Sequence, residues 1–97
     1  MKNIPFPMNY RRSLREGRKT MTVRLDQELG KYTKGEILRA TSYAGNDWGI
    51  DIKVIKVIRT TIGRLNEHGV PGNSVEGILK KGYNSETEVD LVIFRKE

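Results

Sequence analysis

Arginine, lysine and threonine crowd the first quarter of this chain, and the chemistry they share is anion recognition. Residues 1–24 carry seven cations (Lys2, Arg11, Arg12, Arg15, Arg18, Lys19 and Arg24) against one acid, Glu16. That excess of six is the net charge of the whole chain, since the other 73 residues hold eleven basic and eleven acidic side chains. The cluster leads into Gly17-Arg18-Lys19-Thr20-Met21-Thr22-Val23-Arg24, which sets cations beside hydroxyls. Guanidinium and ammonium groups neutralise phosphate, and threonine hydroxyls add hydrogen bonds to a ligand. RNA or a nucleotide is therefore the expected partner. Arg24 suits a bidentate contact with a phosphate or base edge; the plainer role is an ion pair with Asp26 or Glu28. Arg11, Arg12, Arg15 and Arg18 would each add a phosphate contact, or form a solvated helix face.

The elements that must hold these groups follow from spacing. The prolines around Ile4 and Phe6 keep residues 4–8 extended. Asn9 is placed to cap a short helix over 10–16, with Gly17 as its stop. Residues 18–25 alternate as a strand, with Met21, Val23 and Leu25 on one face and Thr20, Thr22 and Arg24 on the other. A second strand is expected over 36–43, and a long third one over 50–59. In the third, the apolar positions switch from Ile50, Ile52 and Val54 to Ile55 and Val57, which marks a bulge. A helical turn over 62–68 and a helix near 75–82 follow. Asn73 and Glu76 are spaced as a capping box, and Gly82 ends the helix. Residues 87–94 make the last strand. Few strands and no long crossover helix give an α+β domain, built as a small mixed β-barrel. One short helix lies near its N-terminus and two precede the last strand.

Composition narrows the classes. Ninety-seven residues with one modest core make a single domain over 1–97. There is no cysteine, so disulfides, cysteine zinc sites and thiol nucleophiles are excluded. A single histidine, His68, makes a metal site unexpected; a structural hydrogen bond to backbone suits it better. No apolar run is long enough to cross a bilayer, and prolines interrupt the first apolar patch, unlike a secretory leader. A cytoplasmic monomer with no cofactor, no metal and no membrane partner is expected. Trp48 should pack in the core or at the barrel end, Tyr10 and Tyr83 beneath the helices, while Tyr43 is open to stacking on a base.

The octapeptide at 17–24 resembles the signature strand of the ASCH domain family. Lys34-Gly35-Glu36-Ile37-Leu38-Arg39, the stretch Leu65-Asn66-Glu67-His68-Gly69 and the closing Val92-Ile93-Phe94 support the resemblance over nearly the full length. It implies a PUA-like barrel whose cleft, between the signature strand and the later helices, takes RNA or a nucleoside. One short branch removes the acyl group from N4-acetylcytidine. There a lysine and a threonine of the strand act with a glutamate from a later loop. Lys19 and Thr22 match the first two. Gly72 stands where the glutamate is expected, and Glu67 or Glu76 is the nearest substitute.

A threonine hydroxyl attacks a carbonyl only when a base takes its proton. Lys19 can be that base if burial or neighbouring cations lower its pKa. On a regular strand the two would face opposite ways, so the strand must start after Lys19 or bulge. Three functions follow. The first is an RNA- or nucleotide-binding domain with a basic, threonine-lined cleft along 18–25, with Arg18, Thr20, Arg24, Arg11, Arg12, Arg15 and Tyr43 as ligand contacts. The second is a small nucleoside amidohydrolase with Thr22 as nucleophile and Lys19 as base, or an RNA-cleaving variant. The third is an interaction module, if side chains fill the cleft.

Overall fold

A computed structural model describes residues 1–97. Five strands, β1 (Asn3–Phe6), β2 (Met21–Arg24), β3 (Ile37–Ser42), β4 (Asp47–Thr61) and β5 (Glu88–Lys96), form one mixed sheet. Its order is β1-β3-β4-β5-β2, with β1 parallel to β3 and the other neighbours antiparallel. Two α-helices, α1 (Arg11–Arg15) and α2 (Gly72–Leu79), and three 3-10 turns, Met8–Tyr10, Asp26–Glu28 and Ile62–His68, fill the connections. The class is α+β. The expected closure into a PUA-like barrel is not found: β1 and β2 remain edges that do not pair with each other. The sheet does curl, because a side chain of β2 reaches the backbone of β1. Arg24 Nη2 donates to Pro5 O at 2.7 Å.

Two apolar clusters occupy the two faces. Inside the curl lie Ile4, Phe6, Leu14, Tyr32, Leu38, Ala40, Trp48, Ile50, Ile52, Val54, Val92 and Phe94. On the other face Ile62, Leu65, Val70, Val89 and Leu91 pack with partly buried Met21, Val23, Val75 and Ile78. β5 feeds both clusters alternately, so it is buried on both faces, as a strand flanked by β4 and β2 should be. The parity switch in β4 is a bulge. Its register to β5 slips between Val54 and Lys56, leaving Ile55 exposed and turning Val57 back to the inner cluster. Trp48 is core, as its composition argued.

Several boundaries differ from those expected. Residues 18–20 are not strand: the turn after α1 holds them, with Arg18 N and Lys19 N both donating to Ser13 O. β2 therefore begins at Met21, after Lys19. Asn9 is inside a 3-10 turn rather than at its cap, because Pro7 holds that position with its extended ψ of 148°. Pro71 likewise takes the cap position of α2, so Asn73 and Glu76 form no capping box, and Asn73 Oδ1 accepts from Ser74 N instead. Gly17 and Gly82 do end their helices with φ of +75° and +102°, a region costly for other residues. Tyr83 packs, as expected, against the cluster that α2 covers with Val75 and Ile78, and its hydroxyl also donates to Asp26.

Candidate functional site

The gap between the sheet edges opens into a cleft of ≈ 600 Å³. That lies within the range of about 300–1,000 Å³ usual for small-molecule sites. β2 forms one wall with Met21, Thr22, Val23 and Arg24. The end of β1 and the following turn give Phe6, Pro7 and Tyr10, and the β3–β4 hairpin gives Tyr43. The segment from Val70 into α2 closes the far side with Asn73, Ser74, Ile78 and Lys81. Three cations, Lys19, Arg24 and Lys81, line it, and no carboxylate does.

Lys19 enters this cleft because the turn after α1 carries it back over Tyr10. Its Nζ sits 4.1 Å from the Tyr10 ring centroid and donates to Met21 O at 3.0 Å. Burial, and secondarily the Arg24 charge, hold its ammonium below the ordinary lysine value. Both effects disfavour the charged form.

Thr22 and Arg24 share the inner face of β2. Arg24 is 3% exposed, so each donor of its guanidinium needs a partner. Its Nε donates to Thr22 Oγ1 at 3.1 Å, and its Nη1 donates to the two Glu28 oxygens at 3.1 and 3.3 Å. Its Cζ lies 4.8 Å from the Phe6 ring centroid. Tyr32 Oη donates to Glu28 Oε2 at 2.6 Å, which completes a chain from Tyr32 through Glu28 and Arg24 to Thr22. Burial, then Glu28, push the Tyr32 phenol well above its usual pKa, so it stays a donor. A guanidinium has no acceptor. The Thr22 hydroxyl therefore accepts from Arg24 and must give its own proton elsewhere.

Of the two roles open to Arg24, the ion pair with Glu28 is the one found. Tyr43 is 66% exposed at the cleft rim. The other residues singled out from the sequence do not line the cleft. Thr20 is exposed. Arg11, Arg12, Arg15 and Arg18 are exposed, and Arg12 and Arg18 both pair with Glu16, so the cluster is partly compensated locally. Glu67 pairs with Arg64 at 3.3 Å and lies with His68 by a second hollow of ≈ 350 Å³. Glu76 is exposed on α2, outside the cleft. Neither acid supplies the carboxylate. His68 makes no side-chain hydrogen bond to backbone, and no three His, Asp or Glu side chains are grouped to hold a metal ion. No helix is long and apolar enough to cross a membrane.

Sequence reasoning offered Glu28 only as one of two ion-pair partners for Arg24 and missed Tyr32, which completes the network. Their signal was the spacing: Arg24, Glu28 and Tyr32 recur every four residues. It was hidden because they sit across a strand end, a 3-10 turn and a loop rather than on a helix.

The same chain, end to end, resembles a curated protein. It is 30% identical over 102 aligned positions to the N(4)-acetylcytidine amidohydrolase of Cronobacter sakazakii, covering 99% of this chain and 97% of that one. The chain belongs to the N(4)-acetylcytidine amidohydrolase family. No family model matches it. The glutamate that the resemblance implied is not found: Pro71, Asn73 and Ser74, which line the cleft on either side of Gly72, bring no acid to it.

Proposed function

We propose that the protein is a nucleoside amidohydrolase of the ASCH type that removes an acyl group from the N4 amine of a cytidine. Thr22 is the nucleophile and Lys19 the general base. One observation carries the reading: a half-buried lysine with a lowered pKa and a threonine hydroxyl held by a buried arginine line one acid-free cleft.

In this mechanism unprotonated Lys19 Nζ takes the Thr22 proton as Oγ1 attacks the acyl carbon. Arg24, already hydrogen-bonded to Oγ1, stabilises the developing negative charge. The C–N4 bond breaks, N4 receives the proton from the Lys19 ammonium, and cytidine leaves. The acyl group is then an ester on Thr22. Lys19 next takes a proton from water, whose oxygen attacks the ester. The ester C–Oγ1 bond breaks, the carboxylic acid departs, and Thr22 Oγ1 regains its proton from the Lys19 ammonium. With no carboxylate in the cleft, Lys19 serves as base and then acid in both half-reactions.

Incubation with N4-acetylcytidine, with cytidine followed by chromatography, tests this. Release of cytidine that disappears in Thr22→Ala and Lys19→Met is expected. Absence of release, or release by Thr22→Ala, refutes it.

A second reading has its own support. Lys19, Arg24 and Lys81 meet in the cleft with no acid, beside the basic first quarter of the chain, which suits RNA or a nucleotide. Filter binding of single-stranded RNA at two salt concentrations tests it. Binding that weakens steeply with salt supports it; none at low salt removes it.

A further inference from the structure

The cleft wall formed by β2 is an open strand edge, and its backbone polar groups fall into two sets. In an antiparallel pair, residues alternate between those whose N–H and C=O both point to the partner strand and those whose groups both point away. Phe94 N donates to Thr20 O at 2.8 Å, which fixes Thr20 as a residue bonded toward β5. The register Met21↔Ile93, Thr22↔Val92, Val23↔Leu91, Arg24↔Asp90 then bonds Thr22 and Arg24 toward β5 as well. Met21 and Val23 turn their N–H and C=O to the open side. Met21 O verifies this, since it accepts from Lys19 Nζ off the sheet. β1 lies across the gap but does not pair with β2. Val23 takes part in no turn, loop or side-chain hydrogen bond. One residue in the cleft wall thus presents a donor and an acceptor side by side, with nothing in the protein to receive them.

A buried or half-buried backbone pair of this kind normally finds a partner. An extended residue offers its N–H and C=O to a group carrying an acceptor next to a donor, which is how a strand edge captures a peptide. Peptide capture needs a run of edge residues and a long groove. Here only Val23 keeps both its N–H and its C=O free, since Lys19 occupies Met21 O, and the space is compact. The fit is to a single planar group. The exposed ring of Tyr43 at the cleft rim offers it a stacking face.

We propose that the Val23 N–H and C=O read the hydrogen-bonding edge of a pyrimidine base, donating to N3 and accepting from N4–H of a cytosine. The choice of cytosine rests on the amidohydrolase reading; the open edge does not. In that pose N4, which carries the acyl group, lies at the strand next to Thr22. An N4 bearing one acyl group keeps the hydrogen that Val23 requires, whereas a doubly substituted N4 has none.

Amide-resolved NMR of the whole 97-residue protein, with cytidine as the probe, tests this. Without ligand, the Val23 amide should exchange with solvent faster than those of Thr22 and Arg24. Cytidine should shift the Val23 amide and slow its exchange. N4,N4-dimethylcytidine, which lacks the donor, should bind about tenfold more weakly, the loss of one net hydrogen bond. Slow Val23 exchange in the free protein overturns the inference, as do equal affinities for the two nucleosides. Cytidine shifts that spare Val23, or no shifts at all, overturn it too. The two readings fail separately. A Val23 response without turnover of N4-acetylcytidine removes the hydrolase and leaves the edge; turnover with a silent Val23 does the reverse.

Discussion

Replacing Glu28 by Gln should unsettle both the fold and the Thr22 hydroxyl. Glu28 takes two hydrogen bonds from Arg24 Nη1 and one from Tyr32 Oη. Glutamine keeps the shape but offers one acceptor oxygen and turns two N–H donors toward groups that are themselves donors. Breaking one partner out of a fully buried pair costs about 3–5 kcal/mol, and an exposed pair is worth about 0–1 kcal/mol. Arg24 is 3% exposed, but the Glu28 side chain retains 26% of its surface, where water screens the loss. We expect a loss of about 2–3 kcal/mol. For a domain of this size each kcal/mol moves the melting midpoint by about 4–8 °C, so the midpoint should fall by about 10–20 °C. Circular dichroism melts of the wild type and the variant measure it. Glu16→Gln, which removes the exposed partner of Arg12 and Arg18, should leave the midpoint where it was. If Glu28→Gln shifts the midpoint no more than Glu16→Gln does, the buried network is not what fixes Arg24, and the reasoning fails.

Other consequences follow from the same geometry. Tyr32→Phe removes a single hydrogen bond to a charged group and should cost about 1.5–3 kcal/mol in urea unfolding, leaving the cleft residues in place. Thr22→Ser should retain turnover of N4-acetylcytidine while Thr22→Ala loses it, because only the hydroxyl is used. Gly77→Ala should stabilise α2 by about 0.5–1 kcal/mol, since a Cβ there meets nothing within 4 Å. Gly63→Ala should cost about 1–3 kcal/mol, because its Cβ would come 3.1 Å from both the Ser85 side chain and the Ser85 carbonyl oxygen.

The sheet was legible where side chains alternate against a single environment. Met21, Val23 and Leu25 do face one cluster while Thr22 and Arg24 face the other, and the parity switch at Ile55 in β4 is a real bulge. What escaped depends on long-range placement. Whether β1 and β2 close a barrel is decided by how far the sheet curls, which no local pattern records. The turn that pulls Lys19 over Tyr10 arises from two amides sharing Ser13 O, a backbone event invisible in residue types. A proline sitting where the cap belongs displaced both proposed helix caps. The basic first quarter drew attention to Arg11, Arg12, Arg15 and Arg18, yet of that segment's cations only Lys19 and Arg24 line the cleft.

Proton bookkeeping at Lys19 joins the fold to the chemistry. Its folded pKa lies below the unfolded 10.5, so the fold disfavours the ammonium. That penalty is present at pH below the folded value, and stability rises with pH from there up to 10.5, where it is fully relieved. Turnover should rise through the folded value, as Lys19 loses its proton. The direct measurement is an NMR titration of the Lys19 side chain, assigned by its loss in Lys19→Met. The account predicts a midpoint clearly below 10.5, the ordinary lysine value. A midpoint at or above that value would contradict a base at Lys19, and with it the nucleophilic role of Thr22.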